Sequence, residues 1–114
     1  MEADRKVIGL TQDSQAFLEQ LQAKDWFSEG QDIARFCLAY AIKVGLKPGS
    51  TTGVDTRWSI SGFDQTGEIQ ALVCALFPDN SAPVRAIESF VNEGLRLVNE
   101  RLIHGGDTLA DLME

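Results

Sequence analysis

The hydrophobic and polar positions near the start of the chain predict a short strand followed by a helix. Residues 6–10, Lys-Val-Ile-Gly-Leu, place a short β-branched and apolar run after a charged start, a pattern typical of a strand. Thr11 and Asp13 are residues that cap helices, and they precede apolar positions at helical spacing. The pattern therefore predicts a first helix over residues 12–24.

The second helix has the strongest pattern in the sequence. Ser28 and Gln31 match the capping-box motif S-x-x-Q, which predicts a helix over residues 29–44. Apolar residues then recur at the spacing of one helical face. They are Ile33, Phe36, Cys37, Tyr40, Ala41 and Val44.

The second half of the chain predicts another strand and two further helices. Turn-forming residues fill 45–53, and residues 56–61 alternate with period two, as in a strand. Asp64 or Thr66 can cap a helix that ends at Phe77. Its apolar stripe consists of Ile69, Leu72, Val73 and Leu76.

The longest helix is predicted near the end of the chain. Ser81 is suited to the N-cap and Pro83 to the first turn, and apolar positions continue at helical spacing to about Ile103. Residues 107–114 are acidic, with a weak apolar pattern. This tail is either a short docked helix or a frayed end.

These elements predict an α+β fold that is mainly α-helical. We expect residues 1–46 to form a strand–helix–helix core, with residues 47–114 as a helical extension packed on it in a single domain. A length of 114 residues suits one domain. The 44% hydrophobic and 24% charged residues are typical of an ordered globular protein.

The residue types present offer little for catalysis or metal binding. His104 is the only histidine, and Cys37 and Cys74 lack metal-ligand spacing, so no zinc site is predicted. Phosphate-loop motifs and the partners of a catalytic triad are absent from the sequence. We therefore expect a protein that is not an enzyme and has no cofactor, with both cysteines buried as small hydrophobic residues.

The sequence also lacks the signals of membrane insertion and export. The charged start is not followed by the longer apolar h-region of a signal peptide, and no apolar run reaches the roughly 18 residues of a membrane span. We expect a cytoplasmic protein with no membrane partner.

The order strand, helix, short turn, helix resembles the ribbon-helix-helix repressors of the MetJ/Arc/CopG type. Leu10, Thr11 and Ser28 fall where that family has its last inward strand residue and its two helix caps, and Phe27 precedes the second cap. The resemblance implies a homodimer or higher homo-oligomer, because two chains pair their strands into an antiparallel ribbon in that fold.

The same resemblance implies a DNA-binding surface. With Ile8 and Leu10 facing the core, the opposite strand face enters the major groove in DNA-binding members, and the start of the second helix contacts phosphate. The candidate DNA-binding residues are Arg5, Lys6, Val7, Gly9, Ser28, Gly30 and Gln31, with Lys43 and Lys47 as secondary phosphate contacts. Glu29 and Asp32 oppose phosphate binding at the helix start.

Short motifs over residues 7–98 resemble DndE-type proteins of bacterial DNA sulfur modification. The motifs are residues 8–11, 35–37, 58–63 and 92–95. This resemblance implies an oligomer that acts in DNA backbone modification or binds interrupted DNA.

The charge distribution leaves two functional classes open. The formal net charge is −7, and residues 1–57 contain eight acidic and seven basic residues against nine and three in residues 58–114. The first hypothesis is a non-enzymatic, DNA-associated regulatory or accessory protein that acts as an oligomer. The alternative is a protein-interaction or assembly scaffold, whose acidic second half would bind a basic partner.

Overall fold

The computed structural model describes residues 4–114 and has the predicted α+β, mainly helical fold, with 59% helix and 8% strand. Its elements are β1 (Val7–Leu10), α1 (Gln12–Gln22), α2 (Gly30–Lys43), β2 (Asp55–Ser59), α3 (Ile60–Phe63), α4 (Glu68–Leu76), α5 (Pro83–Asn99), a π-helical turn (Glu100–His104) and α6 (Leu109–Met113).

Helix α5 forms the centre of the fold. It packs against α1, α2, α4 and β1, and Ile87, Phe90 and Leu95 on it are almost completely buried. Its buried residues join those of β1, α1 and α2 in one hydrophobic cluster. The predicted core and the predicted extension therefore share a single hydrophobic interior.

The two strands form an antiparallel sheet within the chain. Ile8 lies opposite Trp58 and Gly9 lies opposite Thr56, so that Arg57 is an extra residue that makes a bulge in β2. Ile8 and Leu10 are fully buried, as predicted. In this structure the partner of β1 is β2, whereas the ribbon implied by the resemblance pairs β1 with its copy in a second chain.

Side chains of α5 occupy the other edge of β1. The Gly9 amide donates to Glu88 Oε2 at 2.8 Å, and Asn92 Nδ2 donates to the Gly9 carbonyl at 3.0 Å. The Thr11 amide donates to Asn92 Oδ1 at 3.0 Å. Because β2 and α5 cover the two edges, no edge of β1 is open at Gly9 for a strand of another chain.

Two of the predicted helix caps are confirmed. The Thr11 hydroxyl accepts a hydrogen bond from the Ser14 amide at the start of α1. The Asp64 carboxylate accepts from the Ile69 and Gln70 amides at 3.0 Å each, at the start of α4. Both use polar side chains to satisfy the free amides of a first helical turn.

Two other predicted caps are wrong. Helix α2 begins after Glu29 without a side-chain cap, so Ser28 is not its N-cap. Helix α5 begins after Ala82, and Ser81 does not cap it. Instead, the Asp4 carboxylate accepts hydrogen bonds from the amides of Val84 at 2.8 Å and Arg85 at 3.1 Å.

The acidic tail contains a docked helix. Thr108 and Asp111 form a capping box at the start of α6, and Leu112 is buried. Lys43 Nζ donates to the Leu112 carbonyl at 2.8 Å, which attaches the tail to the end of α2. Of the two alternatives for this segment, the structure shows the docked helix.

Candidate functional site

The strand residues predicted to read DNA are mostly engaged within the protein. Arg5 Nε lies 3.3 Å from Glu88 Oε2, and Val7 is half-buried. Gly9 is buried, so its predicted exposure is wrong: a Cβ built at this position would lie 2.8 Å from the Val54 side chain. Among these residues, Lys6 is exposed.

The carboxylate that holds Arg5 lies in the protein interior. Glu88 is only 1% exposed, and this burial raises the pKa of its carboxyl group. The Gly9 hydrogen bond and the charges of Arg5 and Arg85 oppose that rise in the pKa. The positive charge of Arg5 therefore lies beside a buried carboxyl group and favours its ionised form, against the effect of burial.

The start of α2 also differs from a phosphate-binding site. Ser28 is exposed, and a Cβ built on Gly30 would lie 3.7 Å from the Trp58 ring. The Gln31 side-chain carbonyl accepts a hydrogen bond from Arg35 Nη2 at 2.9 Å. The same guanidinium contacts Asp32 at 3.1 Å, so the nearby cation is already paired.

A groove of about 510 Å³ runs beside this helix start and the start of α4. Glu29 and Glu68, both exposed, line it, and we call this pair the acidic rim. A phosphate here would lie beside two carboxylates, whereas a cationic side chain would be attracted to them. The acidic rim therefore favours a basic group over DNA.

The two lysines proposed as secondary phosphate contacts lie far from the start of α2. Helix α2 has 14 residues, so Lys43 is about 20 Å from Gly30 at 1.5 Å per residue. Lys43 is engaged with the tail through the Leu112 carbonyl. Lys47 is exposed and precedes Pro48, which lines a cleft with Leu76. The structure does not bring the predicted DNA contacts together on one surface.

Helix α4 has an exposed apolar surface that was not predicted from the sequence. Leu72 is 50% exposed and Leu76 is 47% exposed, although the apolar stripe suggested that both belong to the core. Ala71 and Ala75 are exposed as well, and Val73 is the one α4 residue classed as buried. We call Leu72, Ala75 and Leu76 the α4 face.

The two cysteines have different environments. Cys37 is buried, as predicted, and desolvation raises the pKa of its thiol far above the ordinary value. Cys74 is exposed, so the prediction of burial is wrong for this residue. With 3.6 residues per turn, Cys74 lies on nearly the opposite side of the α4 axis from Leu72 and Leu76.

Fold and surface together define a small α+β domain with a two-stranded sheet and an exposed apolar helix. Comparison with family models, with curated proteins and with solved structures found no match. The resemblances to ribbon-helix-helix and DndE-type proteins therefore stay predictions. Within residues 4–114 no helix is both long and apolar enough to cross a membrane, and no cluster of three or more His, Cys, Asp or Glu side chains is placed to hold a metal.

Proposed function

We propose that this protein is a non-enzymatic protein-interaction module that docks another polypeptide through the α4 face. The observation that carries this proposal is the exposure of Leu72 and Leu76 one helical turn apart, in a segment without a charged residue from 69 to 78. A contiguous exposed apolar patch commonly marks an interaction site. This function belongs to the class of assembly scaffolds.

The charges of the structure support this choice over DNA binding. Arg5 is paired with Glu88, and Lys43 donates to the Leu112 carbonyl. The acidic rim lies at the start of α2. This is the position at which the ribbon-helix-helix repressors that the sequence resembles contact phosphate. A net charge of −7 adds long-range repulsion between the protein and a nucleic acid.

A cysteine placed on the α4 face tests whether that face is covered in the cell. Ala75→Cys in a Cys74→Ser background puts a thiol at an exposed position on the α4 face and keeps both leucines. We expect alkylation of this thiol to be several-fold slower in the cells that naturally produce the protein than in dilute purified protein. Equal rates would overturn the proposal.

The natural Cys74 supplies a matched control on the same helix. It lies on the opposite flank from Leu72, so docking on the α4 face should leave its alkylation rate unchanged. Buried Cys37 should stay unreactive in both samples and report any unfolding. Slower alkylation at both Ala75→Cys and Cys74 would indicate a general cellular effect and would contradict docking at this face.

A DNA-associated role is a second proposal, favoured by the exposure of Lys6, directly before β1, and of Arg57 in β2. Arg57 lies over the Trp58 ring, 5.5 Å from its centroid. Fluorescence anisotropy at low salt with intact, nicked and single-stranded DNA tests it. We would expect binding that weakens steeply with salt and that Arg57→Ala or Arg5→Ala reduces. Absence of binding to all three DNAs would exclude this function.

A further inference from the structure

We propose that the polypeptide docked on the α4 face is a second copy of this chain, with the two α4 helices antiparallel across a two-fold axis. This inference rests on the proposed function and specifies its partner. A two-fold interface uses the same surface on both copies, so that surface must complement itself. The apolar residues and the charges around α4 meet this condition.

The apolar residues are arranged for such a pairing. Glu68, Leu72, Ala75 and Leu76 follow the spacing i, i+4, i+7, i+8 and so share one side of the helix. An antiparallel pair centred near residue 74 places Leu72 against the partner's Leu76, and the reverse contact follows by symmetry. Ala75 lies close to the axis, where a small side chain lets the two helices approach.

The charges at the two ends of α4 set the direction of the pairing. Glu68 is exposed at the start of α4, within the acidic rim. Lys47 is exposed and directly precedes Pro48, which lines a cleft with Leu76 and Phe77 at the end of α4. An antiparallel pair therefore brings Glu68 towards the partner's Lys47, whereas a parallel pair would bring two copies of Glu68 together.

One further charge lies at the lysine end. Asp79 is exposed there and lines the same cleft as Pro48, so it weakens the attraction for the acidic rim. The four-carbon stem of Lys47 lets its ammonium group extend away from Asp79 towards the rim. In this arrangement Lys47 is the residue whose positive charge pairs with the partner's Glu68.

The size of the surface predicts a weak dimer. Helix α4 has nine residues and is about 14 Å long. One face of so short a helix buries much less than the roughly 800 Å² per partner of a standard stable interface. We therefore expect a reversible dimer that forms in the micromolar range or above. Such an equilibrium is sensitive to single substitutions.

Charge reversal in the full-length chain tests the arrangement. Sedimentation velocity from low micromolar to millimolar concentration should show a monomer–dimer equilibrium for the wild type. Glu68→Lys alone and Lys47→Glu alone should each weaken association by roughly tenfold, since each breaks two symmetric pairs. The double variant Glu68→Lys/Lys47→Glu should restore it, because the pair is rebuilt with its charges exchanged.

Two controls separate the interface from general effects. Glu19→Lys changes an exposed glutamate on α1 and should leave the equilibrium unchanged. Leu72→Lys should abolish the dimer, whereas Met113→Lys, at a 70% exposed apolar residue on α6, should not. Circular dichroism of each variant shows that the fold is retained.

Two outcomes would overturn the inference. A wild type that is monomeric at millimolar concentration excludes the dimer, and failure of the double variant to restore association excludes the antiparallel arrangement. If the purified chain is monomeric while Ala75→Cys is still protected in cells, the docked polypeptide is another protein. That last result would leave the proposed function intact and remove only this partner.

Discussion

The backbone of Gly94 on α5 lies directly against the Cys37 carbonyl on α2. A Cβ built at Gly94 would overlap that carbonyl group. Helices α2 and α5 make the most extensive contact between elements of the fold. The missing side chain at Gly94 is what allows this closeness, and the core that both helices share depends on it.

We predict that Gly94→Ala destabilises the protein strongly. The new methyl group meets a backbone carbonyl, which cannot rotate away, so the helices must separate at a cost of about 1–3 kcal/mol or more. The free energy of unfolding from urea titration measures this effect. Gly30→Ala is the control, because its Cβ would meet the flexible end of Gln22, and an unchanged Gly94→Ala variant would contradict the close contact.

We predict that Asp4, and not Ser81, contributes to the stability of α5. The Asp4 carboxylate accepts two amide hydrogen bonds at the helix start, so Asp4→Ala should lower the free energy of unfolding by about 1 kcal/mol. Ser81→Ala should change it by less than about 0.5 kcal/mol. Urea denaturation of both variants gives the comparison, and the reverse order of effects would show that Ser81 is the cap.

We predict that Glu88 gives the protein a characteristic pH dependence. Burial raises the pKa of Glu88 in the folded protein, so the folded state keeps this proton at a pH where the unfolded state has lost it. Below the ordinary carboxyl pKa, this proton makes its full contribution to the free energy of unfolding. The contribution is lost as the pH rises through the raised pKa of Glu88 in the folded protein.

The isosteric variant Glu88→Gln isolates this contribution. The free energy of unfolding of the wild type, relative to that of Glu88→Gln, should decrease as the pH rises from the ordinary carboxyl pKa through the raised pKa of Glu88. Urea denaturation at several pH values measures the difference. An increase over the same range would mean that the pairing with Arg5 lowers the pKa more than burial raises it.

We predict that the native protein has one reactive thiol. Cys74 is exposed, whereas Cys37 is buried and its raised pKa disfavours the nucleophilic thiolate. Ellman's reagent should therefore titrate one thiol in native protein and two after denaturation. Cys74→Ser should remove the fast reaction, and two fast thiols in the wild type would contradict the burial of Cys37.

Features determined by neighbouring residues could be predicted from the sequence. The helical periodicity placed the main helices, and the Thr11 cap was predictable because the amide it binds is three residues away. The cap of α5 could not be predicted, because Asp4 is 80 residues distant from Val84. Pairing of β1 with β2 is similarly nonlocal, since sequence alternation identifies a strand but not its partner.

The candidate site was harder to predict than the fold. An apolar helical stripe suggests burial, and the sequence gives no sign that α4 contacts the core mainly through Val73. Leu72 and Leu76 are exposed because α4 packs on α5 with Val73 buried, and this packing is not local in the sequence. Likewise, the face containing Gly9 looked exposed by strand alternation, but the loop at Val54 covers it.

The closed edges of β1 have a consequence for aggregation. Residues 7–10 form an uncharged, apolar segment of the kind that pairs with copies of itself when an edge is open. In the folded protein, β2 and the side chains of Glu88 and Asn92 occupy those edges. Partial unfolding that separates α5 from β1 would expose this segment, so α5 protects the chain from forming intermolecular β-structure.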